Sequence, residues 1–285
     1  MAVAARVRAR QSPRRQPGSA EHDDRLNSPL RRGKVRRMVL RDRIDDTTDD
    51  SAFRERLLIT AMEVGRTLDE RECSRMTAHY RLLRQWGKKM NLTGLKNMES
   101  ILRRHFLEPI AVSDLIEDQG TLLDIGSGNG FPAVPLAVLH PGLRLILVES
   151  SEKRSAFLWA VLRALELKGA QVETRRACRR ADLADFLPVR WLTFRGVRAL
   201  ELLAGPGPDL LEKRGRLLAF LSEADALQLR SASTPGLCWS ETHRLPYSPG
   251  DAVAVFQPTG LIDAGGGREG VPRGTPPLSN TKRSR

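Results

Sequence analysis

The chain has 285 residues and a formal net charge of +13, with an isoelectric point near 10.5. Residues 1–43 hold 13 Lys and Arg against 4 Asp and Glu, residues 260–285 hold 5 against 2, and residues 44–259 are almost balanced at 29 against 28. The basic character therefore belongs to the two ends, and nucleic-acid affinity of the folded part cannot be read from net charge.

The segment 1–50 is rich in Arg, Pro, Ser and Gly and poor in aromatics, a composition that cannot bury enough surface to offset chain entropy, so it is expected to be a disordered basic tail. Its Arg-rich start imitates a transit peptide, but no apolar signal region follows. Met38 is a second candidate start, since folding signals begin only near Phe53. Three cysteines, Cys73, Cys178 and Cys238, have no C-x-x-C spacing, which points to reduced thiols in a cytoplasmic protein without a metal site. No run approaches the ~18 apolar residues of a membrane span.

Residues 51–118 read as a helical extension. Phe53, Leu57 and Leu58 start one amphipathic pattern, and Cys73, Met76, Tyr80 and Leu83 continue at spacings of three and four after an N-cap at Asp69. Another helix is expected after Ser100, disturbed at Pro109. Across 119–259, short apolar runs alternate with helical ones, as a mostly parallel sheet requires. Strands are expected near 121–126, 143–149, 170–175, 192–197 and 215–221, with weaker ones near 239–245 and 252–257. The clearest helix follows Glu152, with Leu158, Val161, Leu162 and Leu165 as its buried stripe. The Gly- and Pro-rich segment 260–285 reads as a second basic tail.

The most informative stretch is Leu122 to Pro132, in which an apolar run meets Asp124, then Gly126, Gly128 and Gly130, then Phe131 and a helix. Twenty-five residues after Asp124, a second apolar run stops at Glu149. This is the layout of a Rossmann-like nucleotide site, in which glycines let the backbone approach a ligand and the second acid accepts ribose hydroxyls. The G-x-G-x-G spacing, introduced by an acid, suits S-adenosylmethionine better than a dinucleotide, whose pyrophosphate calls for G-x-G-x-x-G.

Two further motifs narrow the family. Trp86-Gly87-Lys88-Lys89-Met90-Asn91-Leu92-Thr93, followed by Arg103-Arg104-His105-Phe106-Leu107, resembles the paired motifs of the bacterial 16S ribosomal RNA guanine-N7 methyltransferases, the glucose-inhibited-division B type. The glycine loop through Pro132, and Val148-Glu149-Ser150 with Lys153 and Arg154, resemble the same family in the same order over residues 53–258. The resemblance implies a class I Rossmann-like methyltransferase of mostly parallel seven-stranded sheet, acting as a monomer with S-adenosylmethionine. It further implies guanine 527 of the 530 loop as the target, in 16S RNA, the small subunit or an assembly intermediate. It implies Asp124, Gly126, Gly128, Gly130, Phe131, Glu149, Ala177, Cys178 and Arg198 for the cofactor, and Arg198 for orienting the reactants.

Lys88, Lys89, Asn91, Arg103, Arg104 and His105 combine cations for phosphates with rings for bases, and are expected to contact RNA. Trp86 and Phe106, taken alone, read rather as core. A second cluster, Arg175, Arg176, Arg179 and Arg180, faces either phosphates or solvent. The chain departs from the family at Arg176-Ala177-Cys178, where an acid usually follows the alanine; backbone groups there, or Asp182, are the substitutes. It departs again at Thr193, in place of an aspartate, and at Ala133, in place of a glycine.

Gly196-Val197-Arg198-Ala199 follows the fourth strand where an amino-group methyltransferase would carry N-P-P-Y, and no cysteine follows a proline as in the cytosine C5 enzymes. Guanine N7 needs neither device, because its own lone pair attacks the methyl; positioning and desolvation then carry catalysis. The alternatives are a methyltransferase for another RNA site or a small molecule, or a non-enzymatic ribosome-assembly protein with a relic pocket.

Overall fold

A computed structural model describes residues 46–260, apart from Lys89, Asn91, Lys96, Val197, Arg198, Pro206, Pro208 and Pro246. Three helical stretches come first: α1 (Asp46–Glu63), α2 (Glu70–Gly87) and α3, which runs from Met98–Ile101 through a π-helical turn, Leu102–Leu107, into Glu108–Ala111. Then β1 (Thr121–Ile125), α4 (Ala133–Leu139), β2 (Arg144–Glu149), α5 (Glu152–Ala164), β3 (Gln171–Thr174) and β4 (Val189–Arg195) alternate. They are followed by α6 (Ala199–Ala204), β5 (Leu211–Ser222), α7 (Glu223–Ser231), β6 (Leu237–Arg244) and β7 (Asp251–Pro258). The seven strands lie in the order β3-β2-β1-β4-β5-β7-β6, the first five parallel and β7 antiparallel to both its neighbours. All seven expected strands are present, although β4 begins earlier and β5 is longer than their apolar runs suggested.

Side-chain parity along the strands divides the core in two. Leu122, Leu145, Leu147 and Trp191 enter the layer packed with α1 to α5, whereas Leu123, Ile146, Val148 and Leu192 enter the layer on the other face. The helical extension belongs to the first layer: Phe53, Leu57, Cys73, Met76, Tyr80 and Leu83 are buried there, and Phe53 stacks on Tyr80 with centroids 4.0 Å apart. The start of α2 is the capping box its sequence suggests, Asp69 accepting from Glu72 N while Glu72 accepts from Asp69 N.

The disturbance in α3 begins earlier than Pro109. In the π turn the Glu108 N–H reaches back five residues to Arg103 O, so it bypasses the Arg104 carbonyl. Residue 109, the next candidate donor, is a proline with no N–H. The Arg104 carbonyl is thereby left for a side chain, and Arg195 at the end of β4 donates to it at 2.9 Å. Among the described residues, no helix is long and apolar enough to cross a membrane, and no cluster of His, Cys, Asp or Glu is arranged to hold a metal.

Candidate active site

The crevice lies at the carboxyl ends of β1, β2 and β4, where the strand order reverses between β1 and β4, the place at which open α/β sheets take ligands. The parity that buries Leu122, Leu145 and Trp191 also puts Asp124, Glu149, Thr193 and Arg195 on the face covered by the extension. Asp124 and Thr193 are register partners on neighbouring strands, and the Thr193 hydroxyl donates to Asp124 Oδ1 at 2.7 Å. Thr193 thus does a neighbour's job for Asp124 rather than leaving a gap where an acid is usual.

Asp124 is buried, and its second oxygen, Oδ2, has no partner in the protein. Burial pushes the carboxyl up to about 7, opposed by the Thr193 and Ser127 hydrogen bonds. Glu149 has a different environment. Its Oε2 accepts from Gly128 N at 2.8 Å and its Oε1 from Ser151 N at 2.8 Å, so the β2 acid is tied to the glycine loop and to the start of α5. The loop is further anchored by Gly126 N and Ser127 N, both donating to Val148 O.

Gly128 and Gly130 serve different ends within one turn. Gly128 has φ +56, and a Cβ there would meet only the Gly126 carbonyl at an ordinary contact of 3.8 Å, so its demand is conformational and its surface is available to a ligand. At Gly130 a Cβ would fall 2.9 Å from Val134 and 3.3 Å from His79 and Leu158, so this glycine lets α2 and α5 close on the loop. An orphaned buried carboxylate oxygen, an open glycine turn and a strand-end acid with unused lone pairs form a donor-and-acceptor set that fits a cationic, ribose-bearing cofactor.

The three sequence motifs meet here. His79 Nε2–H donates to Asn129 O at 2.9 Å, and Asn129 Nδ2 donates to Leu92 O at 3.2 Å. His105 shares a hydrogen bond of 3.1 Å with Thr93, whose hydroxyl also accepts from Leu95 N. Phe131 carries both histidine rings stacked nearly parallel at 4.4 Å, with Phe106 edge-on at 5.0 Å. His79, which no motif singled out, is thus as central as any residue in them; its place one turn before Leu83 on the buried stripe of α2 was the available signal.

His105 does not face RNA: it is buried in this stack, which corrects its expected role. Burial, with Arg195 and His79 nearby, lowers it to about 3, and burial lowers His79 to about 4, so both are neutral rings. Phe131 likewise is a packing residue of the loop, 4% exposed. Phe106 is fully buried and Trp86 half-buried against Phe157, so both rings belong to the core layer.

Arg104 and Arg103 are half-exposed but ion-paired, with Asp251 and Glu99 at 2.8 Å each. Lys88 is exposed at the end of α2; Lys89, Asn91 and Arg198 lie outside the described residues. The arginine the structure brings to the crevice is Arg195, two residues beyond Thr193 on the same face of β4. Its guanidinium pairs with buried Glu108 at 2.6 Å, and Glu108 accepts from Ser248 at 2.5 Å.

After β3 the four arginines separate. Arg180 is buried and donates to Leu203 O and Pro235 O at 2.5 and 2.6 Å, and Arg175 pairs with Asp185 and Glu173. Arg176 and Arg179 are exposed. Asp182 accepts from both Cys178 N and Arg179 N at 2.9 Å, so the Cys178 amide already has a partner, while Ala177 packs on the second core layer.

Comparison with known proteins agrees with the motifs. The family model for GidB, rRNA small subunit methyltransferase G, matches residues 72–237. A Ribosomal RNA small subunit methyltransferase G of Roseiflexus sp. (strain RS-1) is 40% identical over 167 residues, 57% of this chain and 70% of the relative. One from Xanthomonas oryzae pv. oryzae is 33% identical over 188 residues, 65% and 86% of the two chains. Against that of Acetivibrio thermocellus, 35% identical over 126 residues, the chain spans about half the relative's length, 52%. Among solved structures, TrmN from Thermus thermophilus superposes with a TM-score of 0.42 at 20% identity, covering 55% of this chain and 53% of that one. With its family model matched across the crevice and both flanking motifs, the chain belongs to the GidB family of methyltransferases.

Proposed function

We propose that this protein methylates guanine N7 in small-subunit ribosomal RNA, using S-adenosylmethionine, as a cytoplasmic monomer acting on the RNA, the subunit or an assembly intermediate. The observation that carries the reading is the junction of the motifs: the glycine loop, Asp124 and Glu149 are joined by hydrogen bonds and ring stacking to both motifs of the helical extension. Asp124, the turn from Gly126 to Gly130 and Glu149 would hold the cofactor. When bound, it supplies an electrophilic methyl group on a sulfonium centre.

The residues around the crevice suit a reaction that needs positioning and no proton transfer. Both nearby histidines are neutral, buried and committed to packing, and neither is arranged as a general base. The aromatic stack and the apolar layer beneath it exclude water from one wall, which strengthens the interaction of the Asp124 carboxylate with a cation. Arg195, fixed by Glu108 and the Arg104 carbonyl, orients the closed end of β4, and Arg198 just beyond it orients the reactants.

For RNA, the exposed cations Lys88, Lys153 and Arg154 stand at the ends of α2 and α5 that border the crevice, without ion pairs among the described residues. Arg103 and Arg104 join them, because exchanging an exposed ion pair for a phosphate costs little. The test is to incubate the purified protein with S-adenosylmethionine and small subunits from cells lacking it, then map N7-methylguanine in the RNA. A single new N7-methylguanine is expected; methyl transfer to another base or to no RNA would overturn the proposal.

A further inference from the structure

On the sheet edge opposite the carboxylates, where β2 and β3 begin, a cavity of about 140 Å³ opens between α2, α4 and the turn after α5. Its floor is apolar, formed by the buried Leu143 and Leu145, and its rim carries Arg71, Arg75 and Lys168 against one carboxylate, Glu166. Arg71 and Arg75 stand one turn apart on α2, so their side chains share a face.

The acids of the same turn serve other partners. Glu70 pairs with Arg54, Glu72 pairs with Arg66 and closes the capping box, and Asp69 is its N-cap. Among the described residues, no carboxylate comes within ion-pair distance of Arg71, Arg75 or Lys168. Arg75 donates to the Glu166 carbonyl at 3.3 Å. Burial and the neighbouring Arg71 hold its guanidinium below the ordinary arginine value, with Glu166 and Asp69 opposing.

Two guanidinium groups and an ammonium around an apolar floor repel one another unless an anion joins them. The forked donors of arginine match the oxygens of a phosphate, and a concave apolar floor reduces the competing water. We propose that this cavity is a phosphate-binding site, filled by a phosphodiester of nucleic acid or by a free polyphosphate. The proposal stands apart from the methyl-transfer reading, since it needs no cofactor and lies at the other edge of the sheet.

Calorimetric titration of the full chain with pyrophosphate at low salt is the test. Loss of each arginine is expected to weaken binding about tenfold, so Arg71→Gln with Arg75→Gln weakens it about a hundredfold. Lys168→Gln, at an exposed position, weakens it severalfold, and Glu166→Gln tightens it. Competition by a short single-stranded RNA identifies the phosphodiester as the natural occupant, whereas pyrophosphate binding undisturbed by RNA identifies a free polyphosphate. If wild type binds pyrophosphate no more tightly than the Lys168→Gln and double variants, the proposal is overturned.

Discussion

The two walls of the crevice are built on opposite plans. The wall from the helical extension is buried, aromatic and uncharged: His79, Phe131, His105 and Phe106 lock the glycine loop to α2 and α3 through stacked rings and a few hydrogen bonds. The wall after β3 is exposed and ionic, a short loop in which Asp182 gathers the Cys178 and Arg179 amides and arginines point to solvent. The first has the density of a protein core, in which every ring has a fixed place. The second is held by hydrogen bonds in water, each of small net worth. Cofactor geometry should therefore depend on the first wall through folding and on the second through local adjustment.

The largest effect expected is from Phe131→Ala, which empties the centre of the stack and should lower unfolding free energy by about 3–5 kcal/mol. The denaturant midpoint measures it. A loss below about 1 kcal/mol would mean that the wall is not a core and that the contrast between the walls fails.

Next is Glu108→Gln, which leaves the Arg195 guanidinium in a buried site without its counter-charge, at a cost of about 3 kcal/mol. Because Arg195 also holds the Arg104 carbonyl that the π turn leaves open, amide exchange around Leu102–Leu107 should accelerate in this variant; unchanged exchange would separate the two features.

Asp124→Asn tests the base of the crevice and gives a pH signature. Its carboxyl is raised to about 7 from an ordinary value of 3.8, so the folded state binds the extra proton between those limits. Its contribution to stability is present below the unfolded value and is lost as pH rises through about 7. The neutral histidines act in the other direction: lowered to about 4 and 3, they contribute stability above 6.5 that is lost as pH falls. Asp124→Asn should therefore steepen the rise of stability between pH 4 and 7 and stabilise the cofactor-free protein above pH 7 by on the order of 2 kcal/mol. It should also abolish S-adenosylmethionine binding, because the amide offers no charge to a cation. Retained binding in calorimetry would remove Asp124 from the site.

The smallest effect is expected on the exposed wall. Asp182→Ala releases the Cys178 amide and should change S-adenosylmethionine affinity severalfold while leaving the melting temperature nearly unmoved. A large drop in melting temperature would show that the loop after β3 is as much a part of the core as the ring stack.

Local signals carry much of this without any tertiary contact. Short apolar runs identify the seven strands, and stripes with period 3.6 the buried faces of α2 and α5, because run length and helical spacing follow from backbone geometry alone. The spacing of Asp124, the glycines and Glu149 identifies the tight turn at the end of β1 where the cofactor is proposed to sit, since such a turn at a strand end needs residues free of Cβ clash. Asp69 marks its helix start for the same local reason, a side chain reaching an amide three residues away.

Which polar residues turn inward is not a local property. His105 and Arg103 stand two apart in one motif and so point to opposite faces of the helix, one in the core and the other half-exposed; which of the two faces turns inward is set by what packs against it. Arg195 carried no motif signal; the parity of Trp191 and Thr193 along β4 points to it, but only once the register of β4 on β1 is known. Whether Arg180 and Arg175 meet phosphates or groups of the protein itself depended on α6, the turn before β6 and the loop before β4 arriving beside them. Sequence determined the period and the turns, which arise within a few residues of backbone. Tertiary structure decided burial, protonation and pairing, since the dielectric and the partners of a charge are supplied by distant parts of the chain.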